Sequence, residues 1–184
     1  ETICQNFGGE NIAACIVEPI AGSTGTLVPP KGYLQKLREI CDKHGILLIF
    51  DEVITGWGRT GSKFGAHEFG VTPDIMTMAK ATTNGVVPMG VVACNDSIYD
   101  AVMDASPTGS VELFHGYTYS GIPVAVAAAL AVQDIFEKED IFNRAKNLAP
   151  YFQKGLFSLQ DLESVENIRG YGMMGGIDMK MKDK

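Results

Sequence analysis

The chain has 184 residues, enough for one domain with a sizeable core or for one domain and part of another. Because 46% of the residues are hydrophobic and 20% are charged, the composition is that of a globular protein and excludes a disordered one. A net charge of −7 without a cluster of Lys and Arg excludes a nucleic-acid-binding surface, so we predict no nucleic-acid partner.

The first half of the chain predicts two strands joined by a helix. The apolar runs 12–17 (IAACIV) and 46–50 (ILLIF) are typical of strands buried on both faces. Between them, a loop rich in Gly and Pro covers 19–32, and apolar residues at helical spacing cover 33–44, with Gly45 as the stop. Strand, helix and strand in this order predict a right-handed crossover between parallel strands.

The second half predicts two more strands, a long helical stretch and the beginning of a new sheet: 74–79, 90–94, 124–154 and 165–181. The helical stretch is rich in Ala at first and amphipathic later. We expect it to kink or break near Glu139–Asp140 and again near Pro150, because proline removes a helix hydrogen bond.

The four cysteines are widely spaced and form no CxxC pair, a pattern that indicates neither a metal site nor a redox motif. Cys15 lies in an apolar run and is predicted to be a buried reduced thiol, and such cysteines predict a cytoplasmic protein. No apolar run approaches the roughly 20 residues of a membrane helix and no signal peptide opens the chain, so we predict no membrane partner. Both ends, Glu1 and Lys184, adjoin core-like sequence, which we interpret as a fragment of a longer protein.

Asp51 follows directly on the second strand, at the carboxyl edge where open α/β sheets bind ligands. A helix cap or a surface turn is the alternative use of a lone Asp at such a place. Glycines at 56, 58 and 61 in DEVITGWGRTG allow the backbone to approach a bulky ligand closely. They are not the GxGxxG fingerprint, because no helical pattern begins at them.

Lys80 and Thr118 are two further candidates. Lys80 follows the apolar stretch IMTMA, where desolvation would lower the lysine pKa and favour the neutral amine that makes a Schiff base. A surface lysine whose stem lies along apolar residues is the alternative. Thr118, in HGYTYSGIP, stands just before a helix, where hydroxyls and backbone N–H groups suit a phosphate, although Thr also caps helices routinely.

Four segments in chain order resemble the class III aminotransferases: VEPIAGSTG, ILLIFDEVITGWGRTG, VTPDIMTMAKATTNGVVPMG and HGYTYSGIP. The similarity extends from about Ile12 to Met179. It implies an α/β fold, the fold type I of pyridoxal-phosphate-dependent transferases, with a mainly parallel sheet in a large domain and a smaller domain after it. Residues 1–155 would form the later part of the large cofactor-binding domain, including the long connecting helix, and 156–184 the truncated beginning of the small C-terminal domain.

The resemblance implies a role for each candidate residue. Lys80 matches the catalytic lysine that binds pyridoxal 5′-phosphate as a Schiff base and then moves the proton. Asp51 matches the aspartate that pairs with the protonated ring nitrogen, and Val53 matches the residue that packs on one face of the ring. Thr118 matches the threonine that reaches the cofactor phosphate of the neighbouring subunit, which implies a homodimer with shared sites.

Ser23 and Ile54 resemble the ω-amino acid–pyruvate (β-alanine–pyruvate) group, because ornithine- and GABA-type members usually have Glu and Gln there. Ile122 and Trp57 depart from that group, which more often has His and Phe, and they leave the fine substrate preference open. The implied activity is transfer of an amino group from an ω-amino acid or amine to pyruvate by a ping-pong mechanism.

Two alternatives remain for the function. One is another class III enzyme that uses GABA, ornithine or a diamine, or a semialdehyde aminomutase. The other is a scaffold that kept the fold without the chemistry, and the presence of both Asp51 and Lys80 counts against it. The family's phosphate loop, ring-stacking aromatic residue and substrate-carboxylate arginine have no counterpart in the sequence, so we expect the 184 residues alone to bind cofactor poorly and to be inactive.

Overall fold

The computed structural model describes residues 1–110, 113 and 115–181. The helices are α1 (Thr2–Phe7), α2 (Tyr33–His44), α3 (Gly65–Phe69), α4 (Asp96–Ala105), α5 (Pro123–Lys138) and α6 (Ile141–Phe157). The strands are β1 (Ala14–Val17), β2 (Leu47–Asp51), β3 (Ile75–Met78), β4 (Val91–Cys94), β5 (Val165–Tyr171) and β6 (Met174–Met179). Short 3₁₀ turns cover Gly9–Asn11, Lys80–Thr82 and Tyr117–Tyr119.

The first four strands form one sheet in the order β1-β2-β3-β4, while β5 and β6 form a separate antiparallel hairpin. In the larger sheet β1, β2 and β3 run parallel and β4 runs antiparallel to β3. The predicted α/β fold with a mainly parallel sheet is therefore confirmed. The division at residue 155 stays a prediction, and residues 111, 112, 114 and 182–184 of the two predicted units lie outside the described residues.

Helix α2 makes the crossover from β1 to β2 over the whole predicted span. It ends at Gly45 in a left-handed conformation with φ 67°, which a residue without Cβ adopts at low cost. On its inner face Leu34 packs with Leu48 and Phe50 of β2 in the main core. Full burial of such a side chain contributes about 1.5–3 kcal/mol, and this packing fixes the direction in which β2 reaches Asp51.

The prediction that the first two apolar runs are buried on both faces is wrong for the described residues. Leu48 and Phe50 are fully buried, whereas Ile16 of β1 is 63% exposed. Strand β1 lies at an edge of the sheet, and α2 covers the face that carries Leu48 and Phe50. Cys15, in β1, is likewise half-buried rather than buried, and all four cysteines are free thiols.

The predicted break near Glu139–Asp140 is confirmed, because α5 ends and α6 begins on either side of it. Asp140 has φ 48°, a left-handed conformation that interrupts the helical path between α5 and α6. Near Pro150 the helix does not break, since this residue lies inside α6, and the alternative of a kink there stays a prediction. After it, Gln153 donates hydrogen bonds to carbonyl oxygens of the β5–β6 hairpin at 2.8 and 3.0 Å, which hold the later turns in place.

The β5–β6 hairpin confirms the sheet predicted over 165–181 and packs against earlier parts of the chain. Its contacts include three hydrogen bonds: Met173 N to Arg59 O at 2.8 Å, Tyr171 OH to Glu68 Oε1 at 2.6 Å, and Arg169 Nε to Gly25 O at 2.7 Å. At Gly172, φ is 57° and a Cβ would lie 2.5 Å from the Arg59 carbonyl oxygen, so this close approach requires glycine.

We expect the stabilising contribution of the hydrogen bond between Tyr171 and Glu68 to depend on pH. Burial and the Glu68 carboxylate raise the pKa of Tyr171 from 10.0 to about 12. The folded protein holds this proton more tightly than the unfolded one, so its stabilising contribution is complete below about pH 10 and lost as the pH rises to about 12. In an alkaline absorbance titration we expect Tyr171→Phe to remove one phenol that ionises near pH 12.

The matched control is Tyr151→Phe, because the Tyr151 side chain is largely exposed on α6. This control should keep the late ionisation that Tyr171→Phe removes. A late step present in both variants would contradict the assignment.

Among the described residues, no helix is both long and apolar enough to cross a membrane.

Candidate functional site

Asp51 and Lys80 both lie at the carboxyl ends of neighbouring parallel strands. Asp51 is the last residue of β2 and is in register with Thr77 of β3, which runs parallel to β2. Strand β3 ends at Met78, and Lys80 begins the 3₁₀ turn that follows. The carboxylate and the amine predicted from the sequence therefore belong to neighbouring chain segments, at the edge where α/β sheets bind ligands.

Among the described residues, one oxygen of the Asp51 carboxylate accepts a hydrogen bond within a turn and the other accepts none. Oδ1 accepts a hydrogen bond from the Val53 backbone N–H at 3.0 Å, and both residues are half-buried. Among the described residues no donor is hydrogen-bonded to Oδ2. The turn expected from a lone Asp is therefore present, and a second oxygen still has the capacity to pair with a cation.

Lys80 begins a turn in a left-handed conformation, with φ 42°, directly after Ala79. Its side chain is exposed among the described residues. The burial expected from the apolar stretch before it stays a prediction. A left-handed conformation costs a residue with a Cβ about 1–2 kcal/mol, so the contacts around the turn must maintain it.

The turn at Lys80 is connected to the glycine-rich segment after Asp51. Trp57 Nε1 donates a hydrogen bond to Thr82 Oγ1 at 3.0 Å, and Thr82 Oγ1 donates to the Ala79 carbonyl oxygen at 2.9 Å. The Trp57 ring also stacks on Phe136 of α5, with ring centroids 5.9 Å apart. No role for Thr82 was predicted from the sequence, because no local pattern indicates a contact across 25 positions.

Glu52 is a fully buried carboxylate whose role was not predicted from the sequence. It accepts hydrogen bonds from Thr55 Oγ1 at 2.6 Å, from Gly65 N at 2.7 Å and from Ala66 N at 2.7 Å. These bonds close the segment 52–66 into a loop and satisfy the charge, as burial of a carboxylate requires. An acidic residue directly after a buried strand was the available signal.

Arg59 crosses the inside of the same loop. Burial lowers the pKa of Arg59, and its Nη1 donates to the carbonyl oxygens of Ile54 at 3.1 Å and Gly56 at 3.5 Å. The guanidinium therefore satisfies backbone carbonyls that follow Asp51 and Val53. Together with Glu52, it fixes the path of the backbone along the candidate site.

Ile54 also contacts the loop that carries Ser23. A Cβ at Gly22 would lie 2.6 Å from the end of the Ile54 side chain, so the two segments are in close contact. The Gly22 N–H donates to Glu18 Oε2 at 2.9 Å, which holds the loop at this position. Ser23 and Ile54, the two positions that resemble the ω-amino acid–pyruvate group, therefore lie in segments that contact each other.

Thr118 is not brought to the other candidate residues. It lies on the exposed 3₁₀ turn Tyr117–Tyr119, before α5 as predicted. Among the described residues, no hydrogen bond joins its side chain to Asp51, Val53 or Lys80. Its predicted role across a subunit boundary, and the roles of the other three residues, stay predictions.

The sequence of the chain is similar to those of known proteins over nearly its whole length. The family model for class III aminotransferases matches residues 2–184. An omega-aminotransferase of Caulobacter vibrioides is 54% identical over 98% of this chain, and a beta-alanine–pyruvate aminotransferase of Pseudomonas aeruginosa is 56% identical over 94%. The chain spans about two fifths of the length of these relatives, 41% and 39% respectively.

The fold has a close counterpart among solved structures. A thermostable (S)-enantioselective omega-transaminase from Thermomicrobium roseum superimposes with a TM-score of 0.91 and 42% sequence identity. The match covers 97% of this chain and 39% of that protein.

Proposed function

Because this chain belongs to the class III aminotransferase family, we propose that the protein containing it transfers an amino group from an ω-amino acid or amine, such as β-alanine, to pyruvate. The observation that carries the proposal is the position of Asp51 and Lys80 on neighbouring segments at one edge of the sheet. The relative named for β-alanine and pyruvate supports this donor and this acceptor.

Pyridoxal 5′-phosphate is the cofactor in this proposal, and the described residues fit it. Asp51 has an uncommitted carboxylate oxygen for a cationic ring nitrogen, and Lys80 has an exposed primary amine for an aldehyde. Val53 would contact a face of the ring, and the exposed Thr118 hydroxyl would bind the phosphate in the neighbouring subunit of a homodimer. When bound, the cofactor supplies a conjugated ring that withdraws electrons from the reacting carbon.

The residues of this chain then have distinct tasks. Lys80 Nζ, as a free amine, would take the proton from the reacting carbon of the donor and deliver it to the carbon on the other side of the amino nitrogen. The negative charge of Asp51 favours a protonated ring nitrogen, because an opposite charge nearby raises the pKa of a base. The same two groups serve the second half of a ping-pong cycle, in which pyruvate accepts the amino group.

A chemical trapping experiment tests the assignment of Lys80. The full-length protein is purified with its cofactor, reduced with borohydride and digested, and the peptide that retains the cofactor is located by mass spectrometry. We expect the modified peptide to contain Lys80 and not Lys63, which lies in the 52–66 loop with its amine 5.8 Å from the Phe142 ring centroid. A modified peptide without Lys80 would reject the assignment.

A panel of amino donors with pyruvate tests the substrate class. We expect β-alanine and related ω-amino acids or simple amines to give the highest kcat/KM. A preference for GABA, ornithine or a diamine would favour another class III activity. The absence of both bound cofactor and amino transfer in the full-length protein would favour a scaffold.

A further inference from the structure

The peptide bond between Ala79 and Lys80 is held by one neighbouring residue. The backbone N–H and the side-chain Oγ1 of Thr82 both donate to the Ala79 carbonyl oxygen, each at 2.9 Å. This oxygen belongs to the peptide plane whose rotation sets φ of Lys80. Two donors on one oxygen resist that rotation and therefore hold the left-handed conformation from which the Lys80 side chain departs.

The direction of the Thr82 hydroxyl proton depends on Trp57. An indole N–H only donates, so when Trp57 Nε1 approaches Thr82 Oγ1 at 3.0 Å the hydroxyl must accept that bond with a lone pair. The single hydroxyl proton of Thr82 is then available for the hydrogen bond to the Ala79 carbonyl oxygen. Since Thr82 is 2% exposed, water has little access to take the place of the indole.

Trp57 is itself held firmly in position. Its backbone N–H donates to the Lys63 carbonyl oxygen at 2.7 Å, and its ring has an edge contact with Phe64, with centroids 5.0 Å apart. It has φ 63° and stands between Gly56 and Gly58 in the sequence of the 52–66 loop. A change in the position of this loop would therefore move the indole and, through Thr82, the turn at Lys80.

We propose that Trp57 is a positioning residue for Lys80, acting through the Thr82 hydroxyl to fix the Ala79–Lys80 peptide plane. This inference rests on the proposed function of Lys80. It assigns Trp57 no contact with substrate or cofactor. The effect lies in the orientation of the amine before it reacts, which lowers the cost of reaching the reactive geometry.

The test compares Trp57→Phe and Thr82→Val with Thr83→Val in the full-length protein. Thr83 is the matched control, because it is also 2% exposed and its Oγ1 donates to a backbone oxygen, that of Val87, at 2.6 Å. The measurements are the rate at which cofactor added to the cofactor-free protein becomes linked to Lys80, the pH midpoint of the visible absorbance of the linked form, and kcat and KM.

We expect Trp57→Phe and Thr82→Val each to slow the linkage and to lower kcat by about three- to tenfold, the effect of one hydrogen bond. The pH midpoint should shift in both variants while KM for the donor stays within about twofold. Thr82→Ser, which keeps the hydroxyl, should restore all three values. The double variant should be no worse than the more severe single variant, because both remove the same connection.

Three results are distinguishable. If Lys80 carries the cofactor but Trp57→Phe and Thr82→Val behave as Thr83→Val does, the positioning role is overturned and the proposed function stands. If the trapped peptide lacks Lys80, the proposed function fails and the positioning role fails with it. A lower melting temperature with unchanged linkage rate, pH midpoint and kcat would show a purely structural contact.

Discussion

Replacement of Lys80 by alanine is expected to lower kcat by at least about 10²–10⁴-fold, the usual contribution of a positioned acid–base group. The loss of the covalent attachment adds to this effect, because alanine has no amine for the cofactor. The protein should remain folded, since the Lys80 side chain is exposed and its removal leaves no cavity among the described residues. The measurement is the steady-state rate with β-alanine and pyruvate, alongside the melting temperature.

Two controls separate the amine from the positive charge. Lys80→Arg keeps the charge but provides no amine that forms a Schiff base, so it should be as inactive as Lys80→Ala. Lys63→Ala removes an exposed lysine of the neighbouring loop and should keep near-normal activity. Substantial activity in Lys80→Arg would show that the charge, and not the nucleophilic amine, is the essential property.

Substitution of Glu52 by glutamine is expected to cause the largest loss of stability from a single change near the site. One carboxylate oxygen accepts from Thr55 and Gly65, and the other accepts from Ala66. A glutamine NH₂ cannot accept, so at least one buried donor loses its partner and meets another donor. The free energy of unfolding should fall by about 2–4 kcal/mol, because unsatisfied buried donors and lost bonds to a charged group are costly.

The measurement is urea unfolding of the full-length protein, with limited proteolysis to locate the loosened segment. We expect the first new cleavage of Glu52→Gln to fall within 52–66. The matched control is Glu39→Gln, which removes an exposed surface pair with Lys36 whose contribution to stability is small. Equal unfolding midpoints for the two variants would contradict the structural role of Glu52.

The sheet was largely predictable because its signals are local. Apolar runs identified all four strands, and Gly45 correctly ended α2. Helix α4 was missed, although Asn95 before Asp96 is a typical cap and its side chain does accept from the Ile98 N–H at 3.1 Å. The solvent exposure of each strand was not predictable, because it depends on which elements pack on the sheet and not on the strand's own residues.

The positions of the candidate residues along the fold were predictable, and their contacts were less so. The edge positions of Asp51 and Lys80 follow from strand ends, which the sequence marks well. No residue pattern predicted the left-handed backbone at Lys80. Glu52 and Thr82 bind partners 13 and 25 positions away, and single-sequence patterns carry little information at such separations.

The contacts of the β5–β6 hairpin also have a consequence for the order of events during synthesis. The bond from Tyr171 to Glu68 joins residues 103 positions apart, and the one from Arg169 to Gly25 joins residues 144 positions apart. At about 5–20 residues per second, the ribosome needs roughly 5–20 s to reach Tyr171 after Glu68 has been added. For most of that interval β1 to β4 have all been added to the chain, whereas the loop beside the candidate site still lacks the hairpin. The nascent chain therefore contains the strands of the larger sheet well before the hairpin that packs beside the candidate residues.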